Sequence, residues 1–345
     1  VYVSEADTAA ILVNKDVARA RWYGEEVHVE RALPGRGHRL MLGQEFERNL
    51  EGQQVNFDVA PRTMYLRSDL RPHRWAFFAQ DESRPHPRLG VTLGLRYDRY
   101  ESFGGTFNPR TAAVLHLSDN QRLKFIYGSA FRAPTPYDLA YEGVGQLANE
   151  NLSPERVRGF EVAAETRAGN HGQASIAVFQ NRIEQLIRQS LLEDGSIVSL
   201  NDAEVTARGL EASARLRLPS DVLLRAGGVL QRARTAQNAR ISNSPRYVAT
   251  LGLARRFAGT SLAVESFLIG PRRTVQGNAL PAATLLSLRA TTQPRNGMQI
   301  EAAIYNLLDT EYRASGAGEH VQSSIAQDGR SIRVGVSYRH DAGGR

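Results

Sequence analysis

Residues Leu89–Asp98 read LGVTLGLRYD, and the period of that stretch is two. Leu89, Val91, Leu93, Leu95 and Tyr97 share one side, while Gly90, Thr92, Gly94, Arg96 and Asp98 share the other. Leu210–Leu218 repeats the pattern, with Leu210, Ala212, Ala214, Leu216 and Leu218 opposing Glu211, Ser213, Arg215 and Arg217. In Ile332–His340 the apolar side is Ile332, Val334, Val336 and Tyr338. A helix would scatter these apolar sets around its axis; an extended strand keeps each on one face. About 15 such segments, each about 8–12 residues long, fill the chain, which is the length a tilted strand needs to cross a bilayer. They begin near Arg19, His38, Arg74, Leu89, Arg110, Gln121, Arg156, Gln173, Val205, Asp221, Arg246, Thr260, Ala283, Met298 and Gly329.

The connections sort by length. Pro34–Gly37, Arg84–Arg88, Ser118–Asn120, Ala168–Gly172, Pro219–Ser220, Ala258–Gly259 and Pro294–Gly297 read as tight turns. Between them lie the longer stretches Asn49–His73, Arg99–Pro109, Ala130–Glu155, Arg188–Glu204, Arg232–Pro245, Gly270–Ala282 and Asn306–Asp328. A strict short–long alternation is the signature of an outer-membrane barrel, with turns on the periplasmic side and long loops outside. The expected fold is therefore all-β: a transmembrane antiparallel up-and-down β-barrel. Leu93, Leu95, Leu210 and Leu216 are expected to face lipid, and Arg96, Glu211 and Arg215 the lumen. Tyr23, Phe46, Tyr97, Tyr127, Tyr247 and Tyr305 near the loop ends, with Phe257 and Tyr338 near the turn ends, are expected to form two interfacial girdles.

Composition narrows the chemistry. The mean hydropathy of -0.38 resembles that of a water-soluble protein, yet alternation hides an apolar surface from any bulk average. No run of about 18 apolar residues is present, which excludes a spanning helix and leaves a barrel open. There is no cysteine, hence no disulfide and no thiolate metal site. The net charge of +7 comes almost wholly from arginine, with Lys15 and Lys124 the only lysines. The arginines read as interleaved with Asp and Glu, so no nucleic-acid-binding stripe is expected.

Several short motifs fall in register. Phe131-Arg132-Ala133-Pro134 with Tyr137-Asp138-Leu139, then Asn151-Leu152-Ser153-Pro154-Glu155, resembles a signature of TonB-dependent outer-membrane receptors. Ala79-Gln80-Asp81-Glu82 followed by Leu93–Asp98 is similar to a hairpin of the same family, as are Asn108-Pro109-Arg110, Gly209-Leu210-Glu211 and Asn306-Leu307-Leu308-Asp309-Thr310-Glu311-Tyr312. The closing Gln327–Tyr338 looks like the family's last strand. The resemblance runs from about Trp22 onward. Family barrels have about 22 strands and a plugged lumen, so residues 1–345 are expected to be the C-terminal part of such a barrel, with the plug and first strands outside them.

That resemblance implies energy-coupled uptake of a ferric siderophore or similar scarce nutrient across the outer membrane of a Gram-negative bacterium, by a monomer. The implied partners are outer-membrane lipid and lipopolysaccharide, the TonB-ExbB-ExbD system acting through the plug, and a small iron chelate. A passive porin, an outer-membrane hydrolase and a soluble β-rich binding protein are the alternatives. No catalytic constellation, cofactor motif or metal site is expected. The histidines at 28, 38, 73, 86, 116, 171, 320 and 340 lack ligand spacing. Gly143-x-Gly145 precedes no apolar helix and is not expected to cradle phosphate. Tyr137, Tyr141, Arg272 and Arg273 in the long loops are candidates for an anionic iron chelate, because arginine forks suit carboxylate or catecholate oxygens. The alternative for these side chains is contact with lipopolysaccharide or with one another.

Overall fold

The computed structural model describes all residues except 1, 4–10, 35–36, 143–145, 294–296, 317–321 and 340–345. His320, His340, Gly143 and Gly145 lie outside the described residues. The protein is almost wholly β, and 17 of its strands share one predominantly antiparallel sheet. It divides into two compact units: Val1–Val114 with Phe125–Phe160 and Asn181–Thr206, and Leu115–Lys124 with Glu161–Gln180 and Ala207–Arg345.

In the first unit the strand Asn14–Leu33 pairs along its whole length with His38–Asp58, apart from one bulge at Arg21/Trp22. His38–Asp58 in turn pairs with Thr63–Asp69 and with His73–His86, and the latter with Leu89–Tyr100. In the second unit Val222–Thr235, Tyr247–Phe257, Thr260–Ile269, Ala283–Thr292, Met298–Tyr305 and Ser331–Tyr338 pair in sequence order, each antiparallel to the next. Most strands begin within two residues of the places where the alternation starts.

Pairing puts like with like, because directly opposed residues point to the same side of the sheet. Phe77 opposes Tyr97, Leu253 opposes Val264, and Ile300 opposes Val336. All six are exposed. In Leu89–Tyr100, Leu93, Leu95 and Tyr97 are exposed, Arg96 is half-buried and Asp98 is buried. Few apolar side chains are buried at all: Leu66, Leu152, Val198, Val205 and Leu280 with four alanines, among the described residues. The usual globular arrangement is inverted, with apolar side chains outside and a charged face opposite. Leu210 follows the expectation; Leu216 is only half-buried, set against the backbone of Gly172 at the turn.

The polar face is cross-linked by charge. Arg74 Nη2 donates to Glu45 at 2.8 Å and to Glu47 at 2.9 Å, and Arg96 donates to Glu45 at 2.5 Å and to Asp98 at 3.0 Å. Three strands contribute to that network, and each guanidinium in it meets a carboxylate.

Two expectations need correction. Strands run well past the length of a membrane crossing: His38–Asp58 has 21 residues and Ile197–Leu218 has 22. The stretches Asn49–His73 and Arg188–Glu204, expected as loops, are largely paired strand. Their rungs are polar, such as Asn14 Nδ2 to Asn56 at 3.1 Å and Arg188 Nε to Asp202 at 2.6 Å. With water on both faces, a strand has no reason to alternate in hydrophobicity, so the sequence signal fades while pairing continues. Tyr305 is the second correction. It faces the polar side, where its hydroxyl accepts from Arg289 at 3.4 Å and Arg333 lies 5.6 Å above its ring.

Candidate functional site in the long loops

The loop from Phe131 to Glu155 is held by its own side chains. Thr135 caps the single-turn helix Pro136–Ala140, with Asp138 bonding back to the Thr135 backbone, and Pro136 presets the first turn. Arg132 forks onto Glu155 at 2.6 and 2.8 Å and reaches Asp138 at 3.2 Å. Asn201 accepts from the Ser153 backbone at 2.7 Å and donates back to the Ser153 carbonyl at 2.9 Å. Asn149 Oδ1 accepts from the Asn151 backbone at 3.0 Å, so Pro136 and Asn149 fix backbone where no ladder does.

The helix places Tyr137 and Tyr141 one turn apart, and their rings stack at 4.5 Å. Tyr65, whose carbonyl accepts from the Glu142 backbone, donates its hydroxyl to Asp58 at 2.5 Å, and Asn14 donates to the other oxygen at 3.0 Å. Those two donors hold the Asp58 carboxyl below its usual range, the Tyr65 hydroxyl foremost. In return, the Asp58 carboxylate raises the Tyr65 phenol above its ordinary value.

Arg272 and Arg273 belong to the second unit. They line a cleft of about 400 Å³ together with Arg232, Arg234, Arg240 and Arg246. Ile241, Pro271, Leu280 and Pro281 supply apolar walls, and among the described residues no acidic one contributes. Among the described residues, none of the six arginines forms an ion pair. Arg234 Nη1 donates to the Asn238 carbonyl at 2.7 Å, while its buried Nε has no partner. Arg272 Nη2 donates to the Arg313 carbonyl at 2.6 Å. Burial and the neighbouring guanidiniums of Arg232, Arg240 and Arg246 push the Arg234 pKa below its ordinary value, and burial does the same to Arg272. The group stays charged, because arginine starts far above neutrality.

Sequence reasoning found two of these six arginines. The missed signal was local charge balance. Residues 222–300 contain eleven arginines and one acid, Glu265, so the interleaving with Asp and Glu fails in this segment. The candidate tyrosines and arginines fall in different units, each with its own neighbours. Among the described residues, no three His, Asp or Glu side chains converge on a point where a metal could sit.

An antiparallel sheet that is apolar on one face and charged on the other, with tight turns at one end and ordered loops at the other, defines an outer-membrane β-barrel protein. The family model described as TonB dependent receptor-like, beta-barrel matches residues 5–307, and the chain belongs to that family. Its members are transport receptors of the Gram-negative outer membrane rather than enzymes. No curated protein matches the sequence.

Solved structures with a similar fold include a mutant of the ferric enterobactin receptor PfeA from Pseudomonas aeruginosa, with a TM-score of 0.75 and 18% identity over 93% of this chain and 54% of that one. The siderophore receptor PirA from Acinetobacter baumannii gives a TM-score of 0.75 at 14% identity, over 94% of this chain and 55% of that one. The ferric-catecholate import receptor Fiu from E. coli K12 gives 0.71 at 16% identity, over 94% and 54%. At these identities the likeness shows the fold. The chain spans about half the length of these receptors.

Proposed function

We propose that the chain forms part of the wall of a receptor for energy-coupled uptake of a ferric siderophore, with Tyr137 and Tyr141 among the outer-loop contacts to the chelate. The single observation that carries this reading is that residues 131–142 and 146–155 of the long loop are held by side-chain bonds, within a sheet of this family. A receptor must capture a scarce ligand before moving it, and pre-ordered aromatic surface lowers the entropy cost of capture. The stacked tyrosines offer such a surface, with phenol hydroxyls beside it for polar contact. Arg272 and Arg273, in the arginine cleft, would also suit the oxyanions of such a chelate. The reading also assigns the protein to the outer membrane and to the TonB-ExbB-ExbD system as its energy source.

The test is uptake of radiolabelled ferric siderophores by cells expressing the full gene product as their sole receptor. Uptake is expected to be abolished by an uncoupler and by loss of TonB, and to fall with Tyr137→Ala/Tyr141→Ala at limiting chelate. Uptake that is insensitive to the uncoupler and linear in concentration would instead indicate a passive channel.

A further inference from the structure

We propose that the polar face of the second unit carries an anion site at its tight-turn end, around Arg167, Arg215 and Arg217, which takes a small multivalent oxyanion bearing two or more carboxylate or phosphate groups. The site lies apart from the long loops and does not rest on the transport reading.

Register puts its side chains on one face. Ser175 and Ser213 meet at 2.8 Å, while Ile176 and Val178 on one strand and Leu210 on the other are exposed on the apolar side. At this end of the two strands the odd-numbered residues therefore share the polar face, Gln173, Arg215 and Arg217 among them. In Glu155–Arg167 the apolar side is marked by the exposed Phe160, so Glu165 and Arg167 fall on the polar one. Leu224 opposes Leu253 on the apolar face, which sends Leu223 to the polar face as well. Arg167, His171, Gln173, Arg215, Arg217 and Leu223 line one cavity of about 380 Å³. The turn that closes it is held tightly: a Cβ on Gly172 would stand 2.2 Å from the Arg215 carbonyl oxygen, so the backbone itself forms that wall.

Charge balance separates this cavity from the rest of the polar face. Lys124 is matched by Glu165 at 2.5 Å, Arg289 by Glu301 at 3.7 Å, and Arg74 and Arg96 by Glu45. Among the described residues Arg167, Arg215 and Arg217 form no ion pair, and no acid lines the cavity. Three guanidiniums facing one space repel, and a bound anion reverses the sign of that interaction. Spacing sets the valence of the ligand. Arg215 and Arg217 are about 7 Å apart along their strand, and Arg167 stands two strands away, about 10 Å across the sheet. A single carboxylate fills one fork; an anion with two or three such groups engages several together. Leu223 is the one large apolar side chain in the lining among the described residues, which gives an acyl chain nothing to lie on.

The test uses the full gene product refolded into bicelles with no iron chelate present, and reads binding of citrate, tripolyphosphate and acetate by titration calorimetry. At least one of the two multivalent anions is expected to bind at least about tenfold more tightly than acetate, since each further charge-assisted hydrogen bond corresponds to about that factor. Tighter citrate assigns the site to polycarboxylates, and tighter tripolyphosphate to polyphosphates. R215Q/R217Q should weaken the preferred anion at least about tenfold, and R215K/R217K should recover part of the loss, because charge returns without the fork. Tyr137→Ala/Tyr141→Ala should leave the affinity unchanged. If the glutamine pair fails to fold, arginine modification of the unaltered protein by phenylglyoxal still decides, with the preferred anion expected to shield Arg215 and Arg217. Acetate binding as tightly as both multivalent anions overturns the proposal, as does a folded glutamine pair of full affinity. So does a modification pattern in which Arg215 and Arg217 are shielded before any anion is added, which would give the cavity to another part of the protein.

Discussion

Leu251 and Thr250 are neighbours in one strand, yet they live in different solvents. Leu251 is exposed between Ala226 and Ser266 on the apolar face, and Thr250 sits between Gly227 and Phe267 on the other. Arginine at a mid-membrane lipid position costs about 2–4 kcal/mol, and much less on a wet face. Leu251→Arg is therefore expected to lower the folded fraction in lipid, read by denaturant titration in vesicles, well beyond Thr250→Arg. Equal losses would mean that the exposed leucines do not face hydrocarbon. At this scale the sequence was highly legible, because alternation writes the environment of each residue into its parity. Parity did not reveal the arginine cleft, whose members come from the end of Val222–Thr235 and from the connections beyond it, with no acid between them among the described residues. Nor could it show that Tyr305 turns inward to meet Arg289 and Arg333, since a strand-end position leaves either face open.

Strands that outrun the membrane need something other than an apolar face to hold them together, and polar ties supply it. Asn14, Asp58 and Tyr65 join three successive strands through one carboxylate. The folded Asp58 value is depressed, so its contribution is complete above the unfolded value of about 3.9 and is lost as pH falls through the lower folded value. Tyr65 is raised, so its contribution is complete below about 10 and is lost as pH climbs through the folded value. The protection factor of the Met64–Leu66 amides, taken against the intrinsic exchange rate at each pH, is expected to be high and flat between those limits and to fall outside them. Asp58→Asn should remove the acid limb and weaken the alkaline one, since the same carboxylate raises the Tyr65 phenol; an unchanged acid limb would place the sensitivity elsewhere. A second tie is Asn201, which bonds both backbone groups of Ser153 and the Gln185 carbonyl at 2.7 Å. At about 1 kcal/mol per bond, Asn201→Ala should cost about 1–3 kcal/mol of loop order. Faster proteolysis within Phe131–Glu155, with the rest of the sheet unaffected, is the expected readout. These ties explain why element starts were legible and element ends were not. A start at a tight turn is marked by Pro, Gly or Asn, whereas the far end passes from lipid into water with no change in pairing. The motif at Asn306–Tyr312 was visible for a related reason: Asn306 and Asp309 take φ of 47° and 53°, and their side chains accept from the Thr310 and Arg330 backbones. Few residue types accept such a backbone, so the turn leaves a mark in the sequence.

For the molecule as a whole, stability in a membrane depends on completing hydrogen bonds more than on filling a core. Its buried apolar set is small, and dispersion within the sheet cannot substitute for a lost ladder. Ser331–Tyr338 pairs with Met298–Tyr305 over eight successive positions, and Ile332, Val334, Val336 and Tyr338 lie on the exposed apolar face. Removing that strand would leave one edge of Met298–Tyr305 without partners. In hydrocarbon each unpaired backbone group costs several kcal/mol, and no water is at hand to repair it. The total would far exceed the roughly 5–15 kcal/mol by which folded proteins are usually stable. Deleting Ser331–Tyr338 is therefore expected to abolish the heat-modifiable band that a folded barrel gives on a gel and to send the protein to the aggregate. Arg333→Gln, on the polar face over Tyr305, should leave that band in place, because it trims one cation–π contact of about 0.5–2 kcal/mol and no backbone bond. The pair of variants separates two causes of failure. If both lost the band alike, side-chain packing on the polar face would be the controlling term. If only the deletion lost it, the ladder would be.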